Sequence, residues 1–242
     1  MNRSVAIITA RGGSKRIPQK NIRSFLGIPI IKYPIDSAFN SGCFDEVMVS
    51  SDDPTIAKLA KSFGAKVPFL RSTETSDDYA PLVDVVAEVI DTYEKMGIHY
   101  EYFCCILPTT PFVTSQRLSE GLSLLKETDV DSVVPVVRFN YPIQRALRIG
   151  NGNLEMICPE NRNVRSQDLE PTYHDSGQFY WMRTSRFLMQ RKFFAKKTAP
   201  MELSEWEVQD IDTEEDWAMA EIKYRILQTY LKEEIGNGLR HP

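Results

Sequence analysis

Three observations predict an α/β fold with a mostly parallel, doubly wound sheet. Short apolar runs alternate with helical segments through the first half of the chain, and Gly or Asp-Pro punctuation marks the helix ends. The rhythm then breaks between residues 138 and 172 and resumes afterwards, as an inserted hairpin would require. Strands that read as near-continuous apolar runs are buried on both faces, so helices must cover the sheet on each side, a Rossmann-like arrangement.

The first strand, residues 5–9, is Val5-Ala6-Ile7-Ile8-Thr9. Residues 29–40 look helical and end near Gly42, with Pro34 predicting a kink or a short helix. Residues 46–50 form the second strand. Asp53-Pro54 supplies an N-cap with proline at the first helical position, and Gly64 closes that helix. A third strand is expected over 66–70, a helix over 81–96 ending at Gly97, a fourth strand over 102–107, a helix over 115–127 and a fifth strand over 132–137. Within 138–172, Tyr141-Pro142 precedes a Gly150-Asn151-Gly152 turn between two short runs, which signals a hairpin. The expected division is therefore residues 1–137 and 173–231 as the α/β domain, 138–172 as an arm, and 232–242 as a fraying tail. Residues 178–182 restore the sheet. Trp217, Ala220, Tyr224, Leu227 and Leu231 make a helical apolar stripe suited to core packing.

A chain of 242 residues fits one large α/β domain with an insertion, and a hydrophobic fraction of 42% supports a substantial core. The net charge of −4 argues against general nucleic-acid binding. No apolar run approaches membrane-spanning length, and the N-terminus enters a strand without a leader, so a soluble cytoplasmic protein is expected. Cys43, Cys104, Cys105 and Cys158 have no disulfide or metal spacing, and His99, His174 and His241 are scattered.

The chemistry concentrates at strand ends. After strand one, residues 9–21 carry Arg11, Lys15, Arg16 and Lys20 and no acid. Gly12 and Gly13 allow a backbone nest that binds anions, and Ser14 adds a hydroxyl. Asn21 offers a donor and an acceptor to a base or ribose. The loop is neither a Walker P-loop nor a dinucleotide fingerprint. A solvated basic loop is the alternative, but cations and glycines together at a strand's carboxyl end favour a triphosphate. Ser50-Ser51-Asp52-Asp53, Arg71 with Thr75-Ser76-Asp77-Asp78, and Pro108-Thr109-Thr110-Pro111 follow the next three strands at the same edge. Asp210 and Asp212, alternate residues of an extended segment, share one side; two carboxylates so placed suit Mg²⁺ shared with substrate phosphates. Thr213 and the acids from Glu214 to Asp216 suit a helix start.

The first loop resembles the signature Ala-Arg-x-x-Ser-Lys-x-x-Pro-x-Lys-Asn of the acylneuraminate cytidylyltransferases (CMP-sialic-acid synthetases), met by Ala10, Arg11, Ser14, Lys15, Pro18, Lys20 and Asn21. Residues 210–216 are similar to that family's Asp-Ile-Asp-Thr-x-x-Asp metal motif. The resemblance implies a Mg²⁺-dependent nucleotidyltransferase joining CTP to a nine-carbon 2-keto sugar acid, and a homodimer assembled through the 138–172 arm. It places Arg11, Gly12, Gly13, Ser14, Lys15, Lys20, Asn21, Arg71 and Asp77 at the nucleotide. Arg11, Lys20, Asp210 and Asp212 form the implied catalytic set, with Asp210 and Asp212 holding the metal.

Leu107, Thr109, Arg165, Gln178 and Tyr180 are implied at the sugar, where Arg165 offers a planar fork to a carboxylate. The family usually has Gln where this chain has Leu107, and Asn-Gly-Ala where it has Asp175-Ser176-Gly177-Gln178. With the Gly12-Gly13 pair, these departures resemble the pseudaminic acid branch. N-acetylneuraminate, legionaminate and octulosonate enzymes are the alternatives within the chemistry. A non-catalytic nucleotide-binding module is the alternative outside it, opposed by the intact Asp210/Asp212 pair.

Overall fold

The computed structural model describes residues 3–77 and 80–236. Its elements, in order, are β1 (Ser4–Thr9), β2 (Ser24–Phe25), β3 (Ile28–Pro29), α1 (Lys32–Ser41), β4 (Glu46–Ser50), α2 (Pro54–Ser62), α3 (Leu82–Lys95), β5 (Tyr102–Ile106), α4 (Ser115–Glu127) and β6 (Ser132–Arg138), followed by β7 (Leu147–Gly150), β8 (Asn153–Met156), β9 (Tyr173–Asp175), β10 (Phe179–Arg183), α5 (Thr184–Gln190), β11 (Thr198–Leu203) and α6 (Glu214–Gly236).

The main sheet has the order β11-β6-β10-β5-β1-β4, with β9 pairing the far end of β6. β1 runs parallel to both β4 and β5, placing Ile7 between Met48 and Cys105. β6 and β11 are also parallel, whereas β10 lies antiparallel between β5 and β6. The sheet is thus mainly parallel. β1 is flanked on one side by β4 and on the other by β5, a reversal of strand order that opens a crevice at the carboxyl ends.

Side chains alternate along each strand, and the two sets enter separate cores. Ala6 and Ile8 join Cys104, Ile106 and Trp181 beneath α1, α2 and α4, while Val5 and Ile7 join Phe103, Cys105 and Met182 beneath α3 and α5. This two-sided burial explains why the strands read as unbroken apolar runs. A third cluster of Ile17, Phe25, Ile30, Phe112, Ile211, Trp217 and Ala220 docks α6 on the segment after the first loop. Phe25 meets the rings of Trp217 and Tyr224 edge-on, each at 5.7 Å between centroids. Trp217 and Ala220 of the expected stripe are therefore core, and Tyr224 and Leu227 pack against them; the Leu231 side chain lies outside what is described.

Several expectations need correction. Residues 66–70 form no strand: Lys66 makes one parallel bridge to Met48, and Pro68 lacks the N–H needed to extend it. The helix expected over 29–40 is Lys32–Ser41, and Pro29 belongs to the β2–β3 hairpin. Pro34 falls in the first turn, where a helical N–H has no intrahelical acceptor, so the helix tolerates it. α6 extends to Gly236 instead of fraying from residue 232; residues 237–242, like Asp78, lie outside the described residues. β9, α5, β11 and the β2–β3 hairpin had no sequence expectation. The hairpin expected around Gly150 is β7–β8, with Ile149 opposite Leu154. No helix among the described residues is long and apolar enough to cross a membrane.

Candidate active site

The loop after β1 is held by groups from three neighbouring segments. The Gly12 N–H donates to Asp52 Oδ1 at 3.0 Å, and the Ala10 N–H donates to the Ser50 carbonyl at 2.9 Å. A Cβ on Gly12 would come within 2.8 Å of Asp53 Oδ2. Asp53 is committed to capping α2, where it accepts from the Thr55 and Ile56 N–H groups, so position 12 requires glycine. Asn21 is 7% exposed, and its Nδ2 donates to the Arg11 carbonyl at 2.7 Å. One of its two amide hydrogens is thus committed to shaping the loop.

On the other side of the crevice, Ile211 is fully buried while Asp210 and Asp212 face the opening. That alternation is what an extended segment dictates. Lys20 Nζ joins the two sides by donating to the Ile211 carbonyl and to Asp212 Oδ1, the latter at 3.2 Å. Arg16 also donates to Asp212 Oδ1, at 2.9 Å. Burial pushes the Asp210 carboxyl above its ordinary value, the Asp212 charge pushes it further, and Lys20 partly offsets both. Thr213 and Asp216 bond reciprocally at the start of α6, and Asp216 also accepts from the Asp212 N–H at 3.0 Å. The acidic turn is thus both a helix cap and a brace for Asp212.

Arg71 is 9% exposed; its Nε donates to Ser50 Oγ at 3.1 Å and its Nη2 to the Ser50 carbonyl at 2.7 Å. Burial draws its pKa down, and the charges of Asp52 and Glu88 counter that. Arg11 Nη1 donates to the Asp77 carbonyl at 3.4 Å, and Asp77 Oδ1 accepts from the Ala80 N–H. Thr110 Oγ1 donates to the Leu107 carbonyl at 2.6 Å, fixing the turn after β5.

These segments enclose a cleft of about 440 Å³ lined by Arg11, Lys20, Asn21, Arg71, Asp77, Leu107, Thr109, Asp210 and Asp212, all expected from sequence. Its size falls within the usual range of small-ligand pockets, roughly 300–1,000 Å³. Ser14, Lys15 and Arg16 line an adjoining pocket with Arg11 and Lys20. Arg16 and Asp52 help hold the site, Arg16 through Asp212 and Asp52 through the Gly12 N–H. Thr9, Thr75, Ala80, Leu82 and Val85 also line the cleft. The start of α3 supplies the last two.

Three expected sugar residues do not line this cleft. Arg165 lies on the arm, 72% exposed at its side chain, and pairs with Asp168 at 2.8 Å. Gln178 is 4% exposed and donates its amide to the Glu207 carbonyl. Tyr180 is 7% exposed and donates to Asp175; burial, then that bond, raises its pKa, with a smaller push from the Asp210 charge. Gln178 and Tyr180 buttress the wall from behind.

Residues 5–235 match the cytidylyltransferase family, and the chain belongs to it. Among its relatives, the pseudaminic acid cytidylyltransferase of Campylobacter jejuni is 39% identical over 225 residues, covering 93% of this chain and 97% of the relative. The CMP-N,N'-diacetyllegionaminic acid synthase of Legionella pneumophila is 31% identical over 90% of this chain and 95% of its own length. A CMP:2-keto-3-deoxy-manno-octonic acid synthetase solved with CTP superposes with a TM-score of 0.68 at 14% identity, covering 94% of this chain and 99% of that one, which establishes the shared fold.

Proposed function

We propose that the protein transfers CMP from CTP to pseudaminic acid, releasing pyrophosphate. The single observation that carries the sugar assignment is Leu107, which lines the cleft beside Thr109 and the Asp210/Asp212 pair. Pseudaminic acid, a diacetamido deoxy sugar, presents more apolar surface than N-acetylneuraminate, and leucine suits that surface better than the glutamine usual at this position. Two pseudaminic acid cytidylyltransferases at 39% and 38% identity support the reading. The legionaminate relative makes that sugar the second candidate.

Arg11, Lys15 and Lys20 hold the triphosphate, and Arg71, Asn21 and Asp77 form the nucleoside end. The sugar's anomeric hydroxyl attacks the α-phosphorus in line, the bond to the β-phosphate bridging oxygen breaks, and pyrophosphate leaves. The chain contributes chiefly position and charge, since phosphoryl transfer asks for little covalent help. Asp210 and Asp212 would hold Mg²⁺. Their mutual repulsion is a charge arrangement that a cation relieves, and a two-carboxylate donor set leaves room for water and phosphate oxygens. Bound Mg²⁺ would neutralise phosphate charge and acidify the attacking hydroxyl.

The arm supports a homodimer. Tyr141, Ile149 and Leu154 are 87%, 81% and 65% exposed, a set of large apolar groups suited to burial against a second copy. Pyrophosphate release with CTP and a panel of sugar acids tests the activity. No release with any sugar acid would overturn it.

A further inference from the structure

Glu88 lies on α3 behind the cleft, one turn beyond the lining residue Val85. Its Oε1 accepts from the Ser72 N–H at 2.8 Å, and its Oε2 accepts from Ser72 Oγ at 3.1 Å and from Thr75 Oγ1. One carboxylate thus fastens the short turn Thr73–Thr75 to a rigid helix, directly after the buried Arg71. The same charge helps to compensate the Arg71 guanidinium.

The bond to Thr75 has a consequence for recognition. A threonine hydroxyl carries one hydrogen and two lone pairs. The Glu88 carboxylate can only accept, so it takes that hydrogen. Ser72 Oγ stands 3.5 Å from Thr75 Oγ1, and its own hydrogen is also directed to Glu88. Thr75 lines the cleft, and toward a bound ligand its oxygen is left as an acceptor. Arg11, Lys20, Asp210 and Asp212 charge the cleft from the first loop and the segment before α6; Arg71 and Asp77 line it from the same stretch of chain as Thr75, together with the apolar Ala80, Leu82 and Val85. A flat, uncharged base suits that lining, and the phosphates suit the charges. Cytosine and uracil differ at the ring position that bears an amino donor in one and a carbonyl acceptor in the other. A hydroxyl locked as an acceptor pairs with the amino group and leaves the carbonyl facing another lone pair.

We propose that Glu88 is a positioning residue that sets the Thr75 hydroxyl as an acceptor, and that this pair selects an aminopyrimidine over an oxopyrimidine nucleotide. The inference rests on the cytidylyltransferase reading of the cleft. The experiment compares kcat/KM for CTP and UTP, at saturating sugar acid, in the wild type and in Glu88→Gln, Thr75→Val and Thr75→Ser, with thermal melting to confirm folding. Thr75→Val removes the acceptor and lowers the CTP:UTP ratio of kcat/KM by about tenfold, the worth of one hydrogen bond in a partly buried site. Glu88→Gln keeps the shape, lets an amide donate to Thr75 and releases its hydroxyl hydrogen toward the cleft, lowering the ratio similarly. Thr75→Ser restores most of it. A ratio within twofold of wild type in both Glu88→Gln and Thr75→Val, or an equal loss for both nucleotides, overturns the inference while leaving the cytidylyltransferase reading intact. A folded wild type that uses neither nucleotide with any sugar acid overturns that reading and the inference with it.

Discussion

Replacing Asp212 by asparagine separates a catalytic role from a structural one. In the structure Asp212 pairs with Arg16 at 2.9 Å and with Lys20 at 3.2 Å; the Asp212 and Arg16 side chains are 36% and 67% exposed. The pair with Arg16 is open to water and contributes about 0–1 kcal/mol, and asparagine keeps an oxygen for the Lys20 ammonium, whose side chain is 18% exposed. Working the other way, the substitution removes the charge that repels Asp210. The net change in stability is therefore within about 1 kcal/mol, a Tm shift of no more than about 4 °C for a chain of this size. The metal site loses one of its two carboxylates, and removal of one electrostatic stabiliser of a transition state typically costs about 100- to 1,000-fold in kcat. The assay is pyrophosphate release at saturating CTP, sugar acid and Mg²⁺, paired with thermal melting. The Asp210 carboxyl, followed by NMR, titrates at lower pH in the variant. A kcat within tenfold of wild type, or a melting point lowered by more than about 10 °C, would refute the assignment.

The remaining predictions concern packing, capping and assembly. Gly121→Ala places a Cβ 2.7 Å from Cδ1 of the fully buried Trp181, whose Nε1 is fixed to the Leu118 carbonyl at 3.0 Å and whose ring stacks on Phe44. Overpacking, about 1–3 kcal/mol, outweighs the helix-propensity gain of about 1, so Tm falls by a few degrees, and an unchanged Tm contradicts the packing argument. The Asp216 carboxyl is held below its ordinary value first by the Thr213 hydroxyl and then by the Asp212 N–H. A depressed carboxyl contributes stability that is present above its ordinary pKa and is lost as pH falls through the depressed one. Asp216→Ala therefore lowers Tm at neutral pH, and the difference from wild type vanishes in acid; a difference independent of pH would contradict this. Light scattering at micromolar concentration is expected to give a dimer, and Ile149→Asp, on the exposed face of the arm, a monomer. A monomeric wild type removes the dimer from the account.

How much could be read without coordinates depended on how local the determining physics is. β1, β4 and β5 were legible because two-sided burial makes them uninterrupted apolar runs, and Asp53-Pro54 because capping is a contact between near neighbours. Pro68 was the visible warning against a strand over 66–70. β11 is short and carries Pro200, so it resembles a loop until its pairing with β6 is known. In the site, Arg11 and Lys20 were legible as charges after an apolar strand and Asp210 and Asp212 as alternate residues of an extended segment, whereas Arg71 was placed there through a strand over 66–70 that does not form. Gln178 and Tyr180 were assigned from resemblance, and Arg165 from its planar fork for a carboxylate. Whether a polar side chain faces a cleft or is consumed by an internal partner such as Glu207 or Asp175 is a tertiary fact.

Direct competition among sugar acids identifies the acceptor. Pseudaminic acid, N,N'-diacetyllegionaminic acid and N-acetylneuraminate at equal concentration, with limiting CTP and Mg²⁺, yield CMP-sugars that mass spectrometry and chromatography separate. CMP-pseudaminic acid is expected to dominate, and Leu107→Gln to shift the products toward CMP-N-acetylneuraminate. Dominance of either other product in the wild type would contradict the sugar assignment.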